Sequence, residues 1–183
     1  MDPLWLVLGA VALVILYLIL TYNALVGESA QIDEAIGQID VQLKRRAELI
    51  PNLVETVGGY AKHEKGVLEE VTKARTALMK ASSTSQKVAA DDMLTGALKS
   101  LFAVAENYPQ LKANENFLQL QKELSDTEDK VAYARQYLTS QIMEYNLKVR
   151  QFPGSIIANA FGYKAKQQFT AREEEKKAVK VTF

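Results

Sequence analysis

The side chains best equipped for chemistry lie in one stretch, Ile39 to Glu64, which holds the basic triplet Lys44-Arg45-Arg46, the chain's single histidine, His63, and Glu64 beside it. A cluster of guanidinium and ammonium groups can bind phosphate or an acidic protein surface. An imidazole can act as a general base only when a second group orients it and the substrate lies within hydrogen-bond reach. Nothing in the spacing supplies that second group. Position 67, where a zinc-protease helix would carry its second histidine, is Val67, so the His-Glu-x-x-His pattern is absent. The chain also has no glycine-rich phosphate loop, no Gly-x-Ser-x-Gly elbow and no cysteine. The last point removes disulfides, thiolate nucleophiles, cysteine-held zinc and a lipidated cysteine.

No catalytic residue, metal ligand or cofactor site is therefore assigned. The residues assigned to a candidate interaction role are Lys44, Arg45, Arg46, Asn52, His63, Glu64, Arg75 and Arg135. Each has a plainer reading. The triplet can be a solvated helix face, with Asp40 four residues before Lys44 as an i,i+4 pair worth a few tenths of a kcal/mol. Asn52, Arg75 and Arg135, with Asn114 and Gln121, suit buried helix-to-helix hydrogen bonds as well as a ligand. His63 reads as an exposed or partly buried structural residue.

The element that must carry this stretch is a helix. Ile32, Ile36, Ile39, Leu43, Arg46, Ile50, Leu53, Val57, Tyr60, Glu64, Val67, Val71, Ala74 and Leu78 follow one another in steps of four and three, the mark of one helical face feeding a seam. The run predicts a single packing helix of 47 residues, about 70 Å if straight. Arg46 and Glu64 interrupt the seam and lie 18 residues apart, too far to meet on one helix. Each needs a partner on another helix or subunit, or a wet edge where its stem can snorkel, and the wet edge is the expected case. Pro51 predicts a kink, and Gly58-Gly59 a second soft point.

Ahead of this helix, Pro3 to Val26 contains no charged residue. At 1.5 Å per residue it spans roughly 36 Å, enough to cross a hydrocarbon core of about 30 Å. Trp5 near one end and Tyr17 and Tyr22 toward the other suit the two membrane interfaces. A cleaved signal would want a basic start and a shorter apolar core, so a retained single-span anchor is expected, in the plasma membrane if the source is bacterial. No Lys or Arg precedes the span, whereas Lys44, Arg45 and Arg46 follow it; this asymmetry directs the C-terminal domain to the cytoplasm.

After the polar connector Ala81–Ser85, the positions Met93 or Leu94, Leu98, Leu101, Ala105 and Tyr108 predict a second amphipathic helix. Phe117 to Phe152 predict a third, reaching back as far as Leu111. Whether the chain reverses at Tyr108-Pro109 or runs on is open. Pro153-Gly154 stops the third helix. Ser155 is placed to cap a short fourth, Ile156 to Phe161, ended by Gly162; it is expected as a lid on the bundle end, with a membrane-surface role as the alternative. From Thr170 charges dominate. The division is thus an anchor at 1–27, a domain at 28–169 and a charged tail at 170–183. Lys and Arg (22) balance Asp and Glu (22), which gives no electrostatic case for a nucleic-acid partner.

Several of these segments carry a family resemblance. Tyr22-Asn23-Ala24-Leu25-Val26, Ile39 to Arg46, Leu49-Ile50-Pro51-Asn52-Leu53-Val54, Tyr60-Ala61-x-His63-Glu64, Ala74-Arg75, Tyr108-Pro109-x-Leu111-Lys112-Ala113-Asn114, Ala134-Arg135 and Phe152-Pro153-x-Ser155 resemble the LemA family. The resemblance extends to about Phe169. It implies one N-terminal membrane helix, a helical-bundle domain in the cytoplasm and no established reaction, so no catalytic residue is carried over. Gly58-Gly59 departs from the lysine-glycine pair common there.

The fold class expected is all-α: a single N-terminal transmembrane helix, a short joint near Gly27, then an elongated antiparallel helical bundle. The function expected is a membrane-anchored, non-enzymatic scaffold or adaptor for protein partners not identifiable from sequence. The alternatives are a membrane-organising homo-oligomer in which Arg46 and Glu64 pair between subunits, and an enzyme with an unrecognised site.

Overall fold

The computed structural model describes residues 3–167, so the charged tail from Thr170 lies outside the described residues. Among the described residues the chain forms helices only: α1 (Pro3–Tyr60), α2 (Lys65–Lys80), α3 (Thr84–Ala105), α4 (Pro109–Lys112), α5 (Glu115–Arg150) and α6 (Gly154–Phe161). They divide into two compact units. Of the described residues, one combines 3–35 with 136–167, and the other is 36–135.

The 36–135 unit is a bundle built from the last part of α1, α2, α3, α4 and the first part of α5. The seam positions Ile39, Leu43, Ile50, Leu53 and Val57 are buried against Val71, Ala74 and Leu78 of α2, Leu94, Leu98 and Leu101 of α3, and Phe117, Leu124 and Val131 of α5. Short connectors force neighbours to run antiparallel. The open question at Tyr108-Pro109 is resolved as a reversal: Phe102 meets Phe117 with ring centroids 6.1 Å apart, while Arg135 reaches back to Asp92 at 3.3 Å. Ser83 starts α3 with a capping box, accepting from the Gln86 N–H while Gln86 Oε1 accepts from the Ser83 N–H, which satisfies two of the donors every helix start leaves open. Asn114 caps α5 with a single bond, its Oδ1 accepting from the Phe117 N–H at 3.0 Å.

One expectation needs correction here. The seam from Ile32 to Leu78 does not lie on one helix: α1 ends at Tyr60 and α2 starts at Lys65. The helix stops just after Gly58-Gly59, where two residues of poor helix propensity lower the cost of leaving it, and Ala61 closes the turn with its N–H on the Val57 carbonyl. Pro51, in contrast, stays inside α1. Proline has no N–H to give the carbonyl four residues back, which here belongs to buried Ala47. Arg75 of α2 supplies the missing donor, its Nε lying 2.9 Å from that carbonyl.

The other unit packs the first part of α1 against the end of α5 and α6, around Leu25, Ile32, Leu138, Ile142, Tyr145, Ile157 and Ala158. Gly27 is an ordinary residue within α1 rather than a joint. Every residue from Pro3 to Leu20 is exposed, and this segment is long and apolar enough to cross a membrane. Glu28 is paired with Lys148 of α5. The segment after α6 is clamped by Asn146, whose amide donates to the Lys166 carbonyl at 2.7 Å and accepts from its N–H at 2.8 Å. Lys166 in turn stands 5.4 Å over the Tyr145 ring, and burial pushes the Tyr145 phenol above its ordinary value. No side-chain cap opens α6, so Ser155 does not play the role expected of it. Gly162 closes the helix in the left-handed region (φ 78°), with the Tyr163 N–H on the Ala158 carbonyl at 2.8 Å.

Two predictions follow from these backbone contacts. Arg75→Met should destabilise the chain by about 1–3 kcal/mol, the cost of a buried carbonyl left without a donor. In a Pro51→Ala background, where the helix regains its own N–H, most of that penalty should vanish in a urea double-mutant cycle. At Gly154 an added Cβ would lie 2.3 Å from the Lys148 carbonyl oxygen. Gly154→Ala should therefore displace α6 at a cost of about 1–3 kcal/mol, read as loss of protection of the Lys166 N–H, from which Asn146 accepts, in hydrogen exchange.

Candidate functional site

The most concentrated polar constellation forms around Arg46. Its side chain is 1% exposed, because the four-three phase turns it into the bundle together with Leu43 and Ile50. A guanidinium stays charged in any protein, so its burial is tolerable only with partners. Helix α3 provides two at i,i+4 spacing on one face: Asp91 Oδ1 accepts from Nη1 at 2.5 Å, and Thr95 Oγ1 from the same nitrogen at 3.0 Å. Helix α5 provides the third, Glu128 Oε2, 3.2 Å from Nη2. Asp91 is as buried as Arg46, whereas Glu128 is 40% exposed.

A cleft of about 200 Å³ opens beside this group, lined by Arg46, Thr95, Lys99, Phe102, Gln121 and Glu128 among others. Its polar members are an always-charged arginine already held by two carboxylates, a lysine, an amide, a half-exposed carboxylate and the hydroxyls of Thr95 and Ser125. That set can accept a small polar guest. The Thr95 hydroxyl already accepts from Arg46. Among the described residues, no three His, Asp or Glu side chains converge as a metal ion would require.

The basic triplet is split. Lys44 and Arg45 face solvent while Arg46 is interior, which corrects the expectation of a tolerated charge at a wet seam edge. The Asp40–Lys44 pair is also corrected: Asp40 binds Lys87 of α3 at 2.7 Å, and Lys44 lies 3.9 Å from Glu48 in an exposed pair, an arrangement of little energetic weight. Glu64 lies in the α1–α2 link and accepts from the Tyr108 hydroxyl at 3.1 Å. That hydrogen bond, then burial, then the Glu64 charge hold the Tyr108 phenol above its ordinary value. Beside it, Asn114 donates to the Tyr60 hydroxyl at 3.1 Å. His63 is exposed in the same link. Asn52 and Gln121 are exposed as well, so neither makes the buried contact that sequence allows. Arg75 bonds the Ala47 carbonyl and Arg135 bonds Asp92. The structure thus brings Arg46 together with Asp91, Thr95 and Glu128, residues outside the sequence-derived set. A signal existed: Asp91 and Thr95 fall in phase with Leu98, Leu101 and Ala105, and the apolar series of α5 has a polar gap between Leu124 and Val131.

The sequence profile of the LemA family matches residues 35–183. The chain belongs to the LemA family. Among curated proteins, this LemA-family chain is similar to magnetosome proteins MamQ 2 and MamQ 1 of Paramagnetospirillum magneticum, each 24% identical over 83% of the chain and 65% of the relative. It is also similar to the protein LemA of Metamycoplasma hominis, at 29% identity over 73% of the chain and 58% of the relative. The chain spans less than two thirds of the length of these relatives. The matched region contains α2 to α6, the α1 turns that carry Arg46 and Pro51, and Glu64 in the link after them, so the buried charge group lies wholly within the LemA match.

Cutting one side of the Arg46–Asp91 pair leaves the other charge buried. Arg46→Met and Asp91→Leu are each expected to cost about 3–5 kcal/mol. The double variant should recover most of the loss, and Glu128→Gln, at a half-exposed site, should cost under about 1 kcal/mol. Urea unfolding followed by circular dichroism in mild detergent measures all four. Additive single losses in the double variant would show that Arg46 and Asp91 are not one interacting unit.

Proposed function

We propose that this LemA-family chain is a membrane-tethered, non-enzymatic helical scaffold, crossing the bilayer once through residues 3–26 and presenting its bundle to protein partners in the cytoplasm. The observation that carries the reading is on α1. Its first eighteen residues, Pro3 to Leu20, are exposed throughout, and a continuous apolar surface of that extent calls for a membrane or another protein. Its later turns, from Ile39, are buried in a bundle. The polar residues that sequence marks for binding support the same reading. Arg46, Glu64, Arg75 and Arg135 are engaged in contacts between helices or their links, which leaves Lys44, Arg45, Asn52 and His63 as accessible candidates for a partner surface. Pairing of Arg46 with Glu64 between subunits has no support, because each has its partner within the chain.

The orientation rests on Lys44 and Arg45, which follow the span. Because the chain has no cysteine, Arg45→Cys gives a single reactive site in the full protein. A membrane-impermeant maleimide should label it only after cells are permeabilised; labelling of intact cells would reverse the topology. For the scaffold role, a photo-crosslinker at Lys44 in native membranes should recover the same proteins in repeated mass-spectrometric experiments. Lys44→Glu with Arg45→Glu should lose them while leaving the melting curve unchanged. Recovery no greater than background from an intact bundle would remove the scaffold reading.

A further inference from the structure

Helix α6 has two faces with different fates. Ile157 and Ala158 are buried against the rest of their unit. Ile156, turned away from them, is 57% exposed; Phe161, which ends the helix on the same face as Ile157, remains 64% exposed, and Phe152, just before the helix, is 82% exposed. Three large apolar side chains left exposed within ten residues concentrate apolar surface in one short segment, which requires an explanation that a single exposed residue does not.

The position of this patch on α1 supplies one. The Phe161 ring lies 4.8 Å from Tyr22, and the Tyr163 ring 6.2 Å from it. At the other end of α6, a Cβ on Gly154 would lie 3.9 Å from Thr21 Cγ2. The helix is therefore held at the level of Thr21 and Tyr22, immediately after the exposed apolar run ends at Leu20. With a rise of 1.5 Å per residue, that level is roughly 27–29 Å from Pro3, the depth at which a hydrocarbon core of about 30 Å gives way to headgroups. Aromatic rings such as those of Tyr22 and Tyr163 are at home there. The exposed cations Arg150 and Lys164 bracket α6 in sequence and suit headgroup phosphates.

We infer that α6 and Phe152 form an interfacial shelf: Phe152, Ile156 and Phe161 insert into the headgroup–acyl boundary of the leaflet where the span ends, while Ile157 and Ala158 hold the helix to its unit. The occupant of this apolar face is the bilayer. An eight-residue helix buries too little to anchor a protein alone, but the span already provides the anchor, and the shelf sets how deep and at what tilt the chain sits. Lid and membrane surface, alternatives in the sequence, become two roles of one helix.

This inference rests on the reading of residues 3–26 as a membrane span, and the test separates the two. Single cysteines are introduced into the full chain as Phe152→Cys, Ile156→Cys, Leu13→Cys and Ser140→Cys, spin-labelled, and reconstituted in phosphatidylcholine–phosphatidylglycerol vesicles. Collision with oxygen against a water-soluble nickel chelate reports depth. Phe152 and Ile156 are mostly exposed, so labels there leave the packing intact, which circular dichroism checks. The expected result is an oxygen-to-nickel ratio at 152 and 156 severalfold above that at exposed Ser140 and on the side of Leu13. Lipid burial at Leu13 with aqueous values at 152 and 156 would overturn the shelf alone. Aqueous values at Leu13 would overturn the span, and the shelf with it.

Discussion

Burial of the Arg46 guanidinium is the constraint on which the 36–135 unit depends. The charge cannot be shed by deprotonation, and a lone cation in a packed interior costs several kcal/mol after relaxation. Once the seam of α1 carries Arg46 inward, α3 must bring Asp91 and Thr95 to one nitrogen and α5 must bring Glu128 to another. Three helices are fixed relative to one another by a single side chain. A well-packed apolar residue would hold the bundle as tightly or more so; what the charge adds is a requirement for particular neighbours.

The same logic of a local defect answered from a distance applies to the backbone. Pro51 orphans the Ala47 carbonyl, and Arg75 repairs it from α2. The break after Gly58-Gly59 is answered by Tyr108, whose hydroxyl holds Glu64 in the link, and by the Asn114 contact to Tyr60 at the end of α1. Defects that would weaken an isolated helix thus become points where a second element is recognised.

This is also why sequence reading went as far as it did and no further. Four-three phase depends only on local geometry, so the buried face of α1 from Ile32 to Val57, the α3 stripe, the α5 stripe and the Gly162 stop were legible. Long-range partners were not. Phase placed Arg46 on the seam but could not say that Asp91 lies opposite, and Asp40 was assigned to Lys44 because Lys87 is 47 residues away. Local rules also misranked the two weak points of the long helix. Proline is the stronger breaker in isolation, yet it survives because Arg75 compensates, whereas the helix ends at Tyr60, one residue past Gly58-Gly59.

The apolar core explains why such pins are useful. Ala35, Ala47, Ala61, Ala74, Ala90, Ala97 and Ala105 are all buried, and alanine surfaces discriminate poorly between registers one heptad apart, since each offers nearly the same small knob. Larger neighbours such as Leu43, Ile50, Leu94 and Leu98 recur at similar spacing. In a slipped register Arg46 would face apolar side chains and Asp91 would lose its guanidinium, leaving two buried charges uncompensated. Asp40–Lys87, Asp92–Arg135 and Glu64–Tyr108 would break together with them. The native pairing is therefore separated from its competitors by the cost of misplacing charge rather than by shape alone.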